Sequence, residues 1–321
     1  MIKGLVKHVN LLLAGYSYLQ SSVSKQASIY GMPVSAGIEL TNHCNLHCPE
    51  CASGSGQMKR ERGFMDIELF KKIIAELKPC LYNLNLYFQG EPLLHPLLAS
   101  FIRNSGNIRS VISTNGHFLS EENCDKMVES GLSKLIISLD GLDQYTYSAY
   151  RIGGNVETVM EGIRNISVAR KRHKSSMVIE IQLLVNKFNE HQIPQMRKLA
   201  NGINASLKLK SMQIISKNSF ESWLPTGRNF SRYIIRNGKY QIKSSLPDRC
   251  ARLWFNPVIT WDGKVLPCCF DKDAEHIMGD LSQESFEEIW NGTKFRLFRR
   301  VLLSDRSSIE ICRNCTSGLR V

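Results

Sequence analysis

The chain has 321 residues, of which 43% are hydrophobic and 22% charged. That profile suits a globular protein of about two domains at roughly 150 residues each, or one α/β barrel with an appendage, and it excludes a disordered chain, a collagen and a multi-span membrane protein. Lys and Arg exceed Asp and Glu by 41 − 29 = 12 charges, which fits solubility alone or an anionic partner: nucleic acid, a membrane surface, or a phosphorylated or carboxylated substrate.

The first acidic residue is Glu39. In the acid-free stretch before it, Ile2, Leu5, Val6, Val9, Leu12, Leu13, Tyr16 and Leu19 recur at helical spacing, with Lys3, Lys7 and His8 among them. Residues 1–35 therefore read as a basic amphipathic segment that lies on an anionic membrane or packs against the body of the protein. It shows no small-residue cleavage site, and no apolar run reaches the roughly 18 residues of a membrane-spanning helix.

Residues 36–215 alternate strand and helix. The first strand is 36–42, followed by a helix over 66–78 that Asp66 caps and that Ile67, Phe70, Ile73, Ile74 and Leu77 stripe. Strands at 82–88, 108–114, 134–139, 177–185 and 207–215 alternate with helices at 96–104, 120–130, 155–172 and 190–200. Such a run predicts a parallel sheet with right-handed crossovers, either doubly wound or a partial barrel. In both, chemistry sits at the C-terminal ends of strands.

Residues 216–247 break the rhythm. Lys217, Arg228, Arg232, Arg236, Lys239 and Lys243 interleave with Phe220, Trp223, Phe230, Tyr233 and Tyr240. This irregular insertion reads as a lid, a linker or a surface for single-stranded nucleic acid. Residues 248–321 form a smaller unit, with Asp262-Gly263 turning a hairpin over 258–266 and a helix over 284–303. Five cysteines in a unit too small for a large core suggest a metal staple.

The ten cysteines stand at 44, 48, 51, 80, 124, 250, 268, 269, 312 and 315. Two clumps in a chain of this length point to metal ligation in a reducing, cytoplasmic compartment. Strand one runs into His43-Cys44-Asn45-Leu46-His47-Cys48-Pro49-Glu50-Cys51, a Cys-x3-Cys-x2-Cys spacing. Three thiolates suit a zinc ion, with His43 or His47 as further ligands, or an iron-sulfur cube with one iron left open. Cys80 and Cys124 read as buried structural residues, and Cys269 as spare, because neighbours on a strand point apart. Later strands end in Gln89-Gly90-Glu91-Pro92, Ser113-Thr114-Asn115-Gly116 and Ser138-Leu139-Asp140-Gly141, the last followed by Tyr150-Arg151.

In this order across 36–151, the elements resemble the radical S-adenosylmethionine (radical SAM) superfamily. The resemblance implies a partial (β/α)6 TIM-type barrel in which Cys44, Cys48 and Cys51 hold a [4Fe-4S] cluster whose open iron takes SAM. It places Gly90, Glu91 and Pro92 at the SAM amino group, Ser113, Asn115 and Ser138 in the cofactor-binding set with the last two toward the ribose, and Arg151 on the methionyl carboxylate. Gln89 departs from the family's Gly-Gly-Glu-Pro, and Glu50 stands where an aromatic often precedes the third cysteine, which puts the adenine contact in doubt. Cys250-x12-Gly263-x4-Cys268 with Cys312-x2-Cys315 resembles the SPASM/twitch extension. That implies one auxiliary [4Fe-4S] cluster on Cys250, Cys268, Cys312 and Cys315, with zinc on the same thiolates as the alternative.

The chemistry implied is reductive cleavage of SAM to a 5′-deoxyadenosyl radical and abstraction of hydrogen from substrate. The auxiliary cluster points to net oxidation, with Asp271 and Asp273 as candidate bases or plain solvated acids. The partners are a small-molecule or peptidic substrate, with an anionic one suited to the charge, and an electron donor such as flavodoxin or ferredoxin. No peptide-recognition domain stands before the first strand, which weighs against a ribosomal peptide. Modification of a peptide, protein or RNA is one alternative, and a non-catalytic zinc-binding nucleic-acid module is an alternative of another class.

Overall fold

The computed structural model describes residues 2–216 and 218–315; Met1, Lys217 of the basic-aromatic set and residues 316–321 lie outside the described residues. Six parallel strands lie side by side in chain order: β1 (Ser35–Ile38), β2 (Asn83–Asn85), β3 (Arg109–Thr114), β4 (Lys134–Ser138), β5 (Val178–Val185) and β6 (Ser206–Ser211). Helix α1 (Ile2–Ser24) precedes them. The crossovers carry α2 (Ile67–Leu77), α3 (Leu98–Ser105), α4 (Glu121–Glu129), α5 (Gln144–Tyr150), α6 (Val156–Arg172) and α7 (Ile193–Gly202). Strand order separates the two architectures left open by the sequence. A doubly wound sheet reverses direction at a switch point, whereas here every crossover advances by one strand. Right-handed crossovers then leave all helices on one face, and the sheet curls as a partial barrel.

Alternation along each strand separates two environments. Ile38, Leu84, Ile112, Ile137, Ile181 and Leu183 join the core under the helices. The intervening positions turn to the concave side. Ser113 pairs in register with Ile136, two residues before Ser138, and Ser138 pairs with Gln182, so the serines share one inward face. Asp66 caps α2 as expected, accepting the N–H groups of Glu68 and Leu69 at 2.8 and 3.0 Å. Helix α5 has no apolar stripe to announce it. Its signal is Asp143, whose carboxylate accepts the Thr146 N–H (2.9 Å).

Segment 216–247 is less irregular than its composition suggests. After α8 (Phe220–Trp223) it forms an antiparallel hairpin, β7 (Tyr233–Arg236) and β8 (Lys239–Ile242). Asn237 and Gly238 make its two-residue turn, with φ of 49° and 71°, the left-handed pair that matches strand twist. Helix α9 (Arg252–Phe255) leads into β9 (Val258–Ile259), β10 (Lys264–Leu266) and β11 (Gly279–Asp280). These extend the main sheet rather than form a separate one: β9 runs parallel to β1, with Gly37 opposite Val258, and the full order is β11-β10-β9-β1-β2-β3-β4-β5-β6. The helix expected over 284–303 is two helices, α10 (Phe286–Asn291) and α11 (Thr293–Ser304), because Gly292 leaves the helical region at φ −70°, ψ 165°. A last turn, α12 (Glu310–Arg313), carries Cys312.

Candidate active site

The loop after β1 carries Cys44, Cys48 and Cys51. The three thiols stand within electrostatic reach of one another, and burial raises the pKa of Cys44 and Cys48, the latter to about 11. Arg151 opposes that rise; its Nη1 points at Cys48 Sγ from 3.9 Å. Backbone bonds shape the loop: the Cys51 N–H donates to Cys48 O (3.2 Å) and the Ser55 N–H to Cys51 O (2.8 Å). His43 stacks on Phe64 with ring centroids 4.8 Å apart, and the His47 N–H donates to Ile152 O (2.9 Å).

The end of β2 locks against this loop. Gly90 has φ +74°, and a Cβ there would stand 2.6 Å from the carbonyl oxygens of both Thr41 and His43. Only glycine permits that approach. The Gly90 N–H donates to Ser53 Oγ (2.9 Å), the Ser53 hydroxyl donates to Gln89 Oε1 (3.3 Å), and the Glu91 N–H donates to His43 O (2.7 Å). The Glu91 carboxylate, 2% exposed, accepts the Thr114 hydroxyl (2.8 Å), the Asn115 N–H (2.6 Å) and the Leu93 N–H (3.1 Å). Burial pushes its pKa up, and those donors oppose the shift. Glu91 thus clips the end of β2 to the end of β3. Asn115 in turn donates from Nδ2 to Asn45 Oδ1 within the cysteine loop (2.8 Å).

Arg151 meets an acid that sequence reasoning quoted without assigning it a role. Its Nε donates to Asp140 Oδ2 at 2.6 Å, and Asp140, fully buried, also accepts the Leu184 N–H at 2.7 Å. Glu50 stands out in the sequence only as a departure from the family pattern. It is 6% exposed and ties the cysteine loop to the segment after β6: Oε2 accepts the N–H groups of Ile215 (2.5 Å) and Ser216 (3.3 Å), and Oε1 the Ser219 hydroxyl.

The second thiol group gathers around α9. Cys250, Cys268, Cys312 and Cys315 are buried, and Cys268 feels the charge of Cys269, Cys250 and Cys315. Arg252 lies within reach of Cys269, Cys315, Cys268 and Cys250, in falling order of effect, and its Nη1 donates to Cys269 Sγ (3.4 Å). Cys269 is half-buried, and its charge is felt by Tyr87, Lys210 and Lys272. Cys124 is fully buried and Cys80 half-buried, and neither has a place in the two groups.

Lys272 feels both sets: burial lowers its pKa, and the thiols of Cys51 and Cys269 act against that shift. A cavity of about 430 Å³ opens beside it, lined by Ala52, Gln57, Gln213, Phe270, Asp271 and Asp273 among others. Asp271, 1% exposed, accepts the N–H groups of Glu275 (2.8 Å) and His276 (2.9 Å) with its two oxygens; Asp273 commits only Oδ1, to the Lys59 N–H (3.0 Å). Both donor groups consist of thiols, the ligands iron-sulfur clusters take. Among the described residues, no three His, Cys, Asp or Glu side chains stand close enough to hold a single ion.

A sequential parallel sheet with a thiol-bearing loop at the end of its first strand and a second thiol group at its edge defines an iron-sulfur enzyme of the partial-barrel type. The chain belongs to the radical SAM superfamily: the family's model matches residues 38–200, and the iron-sulfur cluster-binding SPASM domain matches residues 250–316. Among curated proteins, the chain is 24% identical over 287 residues to the S-adenosyl-L-methionine-dependent 2-deoxy-scyllo-inosamine dehydrogenase of Niallia circulans, covering 87% of this chain and 91% of that one. It is 26% identical over 300 residues to the tungsten-containing aldehyde ferredoxin oxidoreductase cofactor-modifying protein of Pyrococcus furiosus, covering 82% of each. Among solved structures, BtrN in complex with AdoMet and 2-DOIA shares the fold with a TM-score of 0.57 at 20% identity, over 90% of this chain and 95% of that one. Native anSMEcpe with bound AdoMet shares it with a TM-score of 0.61 at 18% identity, over 88% of each. The protein is therefore an enzyme whose cofactors are SAM and [4Fe-4S] clusters.

Proposed function

We propose that this enzyme oxidises an anionic small molecule or peptide held between its two thiol groups. Cys44, Cys48 and Cys51 would hold the first cluster, and Cys250, Cys268, Cys312 and Cys315 the second. When bound, the reduced first cluster and SAM supply a 5′-deoxyadenosyl radical that removes hydrogen from substrate, and the second cluster supplies a sink for the electron left behind. The chain's own residues set the geometry. Gly90 and Glu91 fix the β2 end against the cysteine loop, with Pro92 turning the chain onward, so carbonyls there can face the SAM amino group. Ser113, Asn115 and Ser138 lie along the inward ends of β3 and β4, the side for the ribose. Arg151 places Nε on Asp140 and Nη1 toward Cys48 Sγ, which leaves Nη2 for a carboxylate.

The observation that carries this reading is one cavity lined by Lys272 and by Ala52, Phe270 and Asn314, chain neighbours of Cys51, Cys269 and Cys315, which supports a shared space between the two thiol groups. Lys210 and Arg252 add cations to the same face, which favours a carboxylate or phosphate on the substrate. Asp273, with one oxygen uncommitted on the cavity wall, is the better placed of the two acids to accept the proton. The dehydrogenase of Niallia circulans, matched along most of its length, supports oxidation. A flavodoxin or ferredoxin would deliver the electron, in a reducing compartment such as the cytoplasm. Among the described residues, no helix is long and apolar enough to cross a membrane; peripheral contact through α1 is part of the proposal. Anaerobic, reconstituted and dithionite-reduced protein should release 5′-deoxyadenosine from SAM, and Cys44→Ala should abolish it. Silence from the wild type, or undiminished cleavage by the variant, overturns the assignment.

A further inference from the structure

Helix α1 is turned inside out. The face it buries is small and polar: Asn10, Ala14, Ser17 and Ser21. Those side chains bond the returning segment, with Asn10 Nδ2 donating to Met32 O (3.0 Å) and Oδ1 accepting the Met32 N–H (2.8 Å). Ser17 Oγ accepts the Tyr30 N–H (2.8 Å), and Ser21 Oγ the Ser28 N–H (2.9 Å). Gly31 lets the two backbones meet, since a Cβ there would stand 2.6 Å from the Ala14 nitrogen. The opposite face presents Leu5, Val9, Leu12, Tyr16, Leu19 and Val23, one stripe at spacings of three and four residues, with Leu12 73% and Val23 85% exposed. A water-soluble surface helix shows the reverse arrangement.

We infer that this outward stripe seats in the interface of an anionic phospholipid bilayer, a property that goes beyond the proposed reaction and does not depend on it. Charge selects the occupant. No acidic residue precedes Glu39, so with Lys3, Lys7 and Lys25 the segment that carries the stripe holds only positive charge. A second copy of the chain would bring an equally basic, acid-free helix against this one, whereas an anionic lipid surface complements it. Tyr16 and Tyr30, both exposed and with ring centroids 5.5 Å apart, stand as an aromatic pair where headgroups meet acyl chains. The helix lies on the bilayer rather than through it. Its place in the fold fixes the orientation. Tyr82, just before β2, bonds His8 Nδ1 through its hydroxyl (3.0 Å) and lies under Lys7 Nζ at 5.8 Å, so α1 meets the N-terminal ends of the strands. The cysteine loop lies at the C-terminal ends, so the docked enzyme turns its mouth to water.

The full chain should co-sediment with phosphatidylcholine vesicles containing phosphatidylglycerol, bind vesicles of phosphatidylcholine alone more weakly, and come off the anionic ones as salt rises. The triple variant Leu5→Ser, Leu12→Ser, Leu19→Ser changes only outward side chains, and circular dichroism should show it folded. Its partition onto anionic vesicles should fall by at least about tenfold, from the apolar area lost. Wild-type protein left in the supernatant, or a folded variant that partitions equally, overturns the inference. So does sedimentation equilibrium showing a wild-type dimer that the variant abolishes while neither binds vesicles, since a second copy would then cover the stripe.

Discussion

Gly90 packs the end of β2 against the loop that follows β1. Its φ of +74° is one that side chains rarely adopt, and the carbonyls of Thr41 and His43 occupy the space a methyl would need. Ala at this position carries a conformational cost of about 1 kcal/mol or more, and it must also push the cysteine loop away from β2. Gly90→Ala should therefore lower the melting temperature by several degrees and reduce the iron content, since Cys44, Cys48 and Cys51 are the proposed ligands of the first cluster; both are measured on anaerobically purified protein. Gln89→Gly, which gives up one hydrogen bond from Ser53, should keep its iron. Equal iron in Gly90→Ala and wild type would show that the approach is not needed. The Gly-Glu-Pro element was legible in sequence, because its residue types are unusual in that order at a strand end. What Glu91 does there was not. The three donors that meet its carboxylate, from Leu93, Thr114 and Asn115, come partly from another strand, and no local pattern announces a partner so far along the chain.

At the scale of elements, one carboxylate ties the cysteine loop to the start of segment 216–247. Glu50 accepts N–H groups from Ile215 and Ser216 and the hydroxyl of Ser219, so the chain leaving β6 is held down on the loop that carries Cys48 and Cys51. Hydrogen bonds to a charged acceptor contribute about 1.5–3 kcal/mol each, so removing them should free the segment more than it unfolds the protein. Glu50→Ala should raise amide exchange at Ile215 and Ser216 by about tenfold or more while leaving the strands protected, as hydrogen–deuterium exchange would report. Unchanged protection at those amides would mean the hairpin holds the segment without Glu50. The hairpin itself was readable: Asn237-Gly238 between alternating side chains is a strong turn signal, masked by the surrounding basic and aromatic residues. The break at Gly292 was readable too, since glycine weakens a helix wherever it falls. The shortness of β2, three residues, was not, because its ladder ends where neighbouring strands stop pairing with it.

For the whole molecule, the consequence lies in how the two thiol groups are attached to one sheet. The first follows β1. The second hangs from α9 and the strands β9 and β10, which join the sheet on the other side of β1. The sequence showed six strand-helix units but left their spatial order open, and it gave no sign that the C-terminal hairpin would extend the same sheet. That placement brings Cys269 onto Arg252 and within electrostatic range of Tyr87, Lys210 and Lys272. Because each group is built on its own strands, each should load iron independently. Cys250→Ala should lose about half the iron of the wild type, one four-ligand cluster of two, and should still release 5′-deoxyadenosine from SAM with the substrate left unoxidised. Iron quantification beside the cleavage assay separates the outcomes. Unchanged iron would place the second cluster on other thiols, Cys269 first among them, and loss of all iron would mean that the shared sheet edge, rather than each loop, governs whether either group can fill.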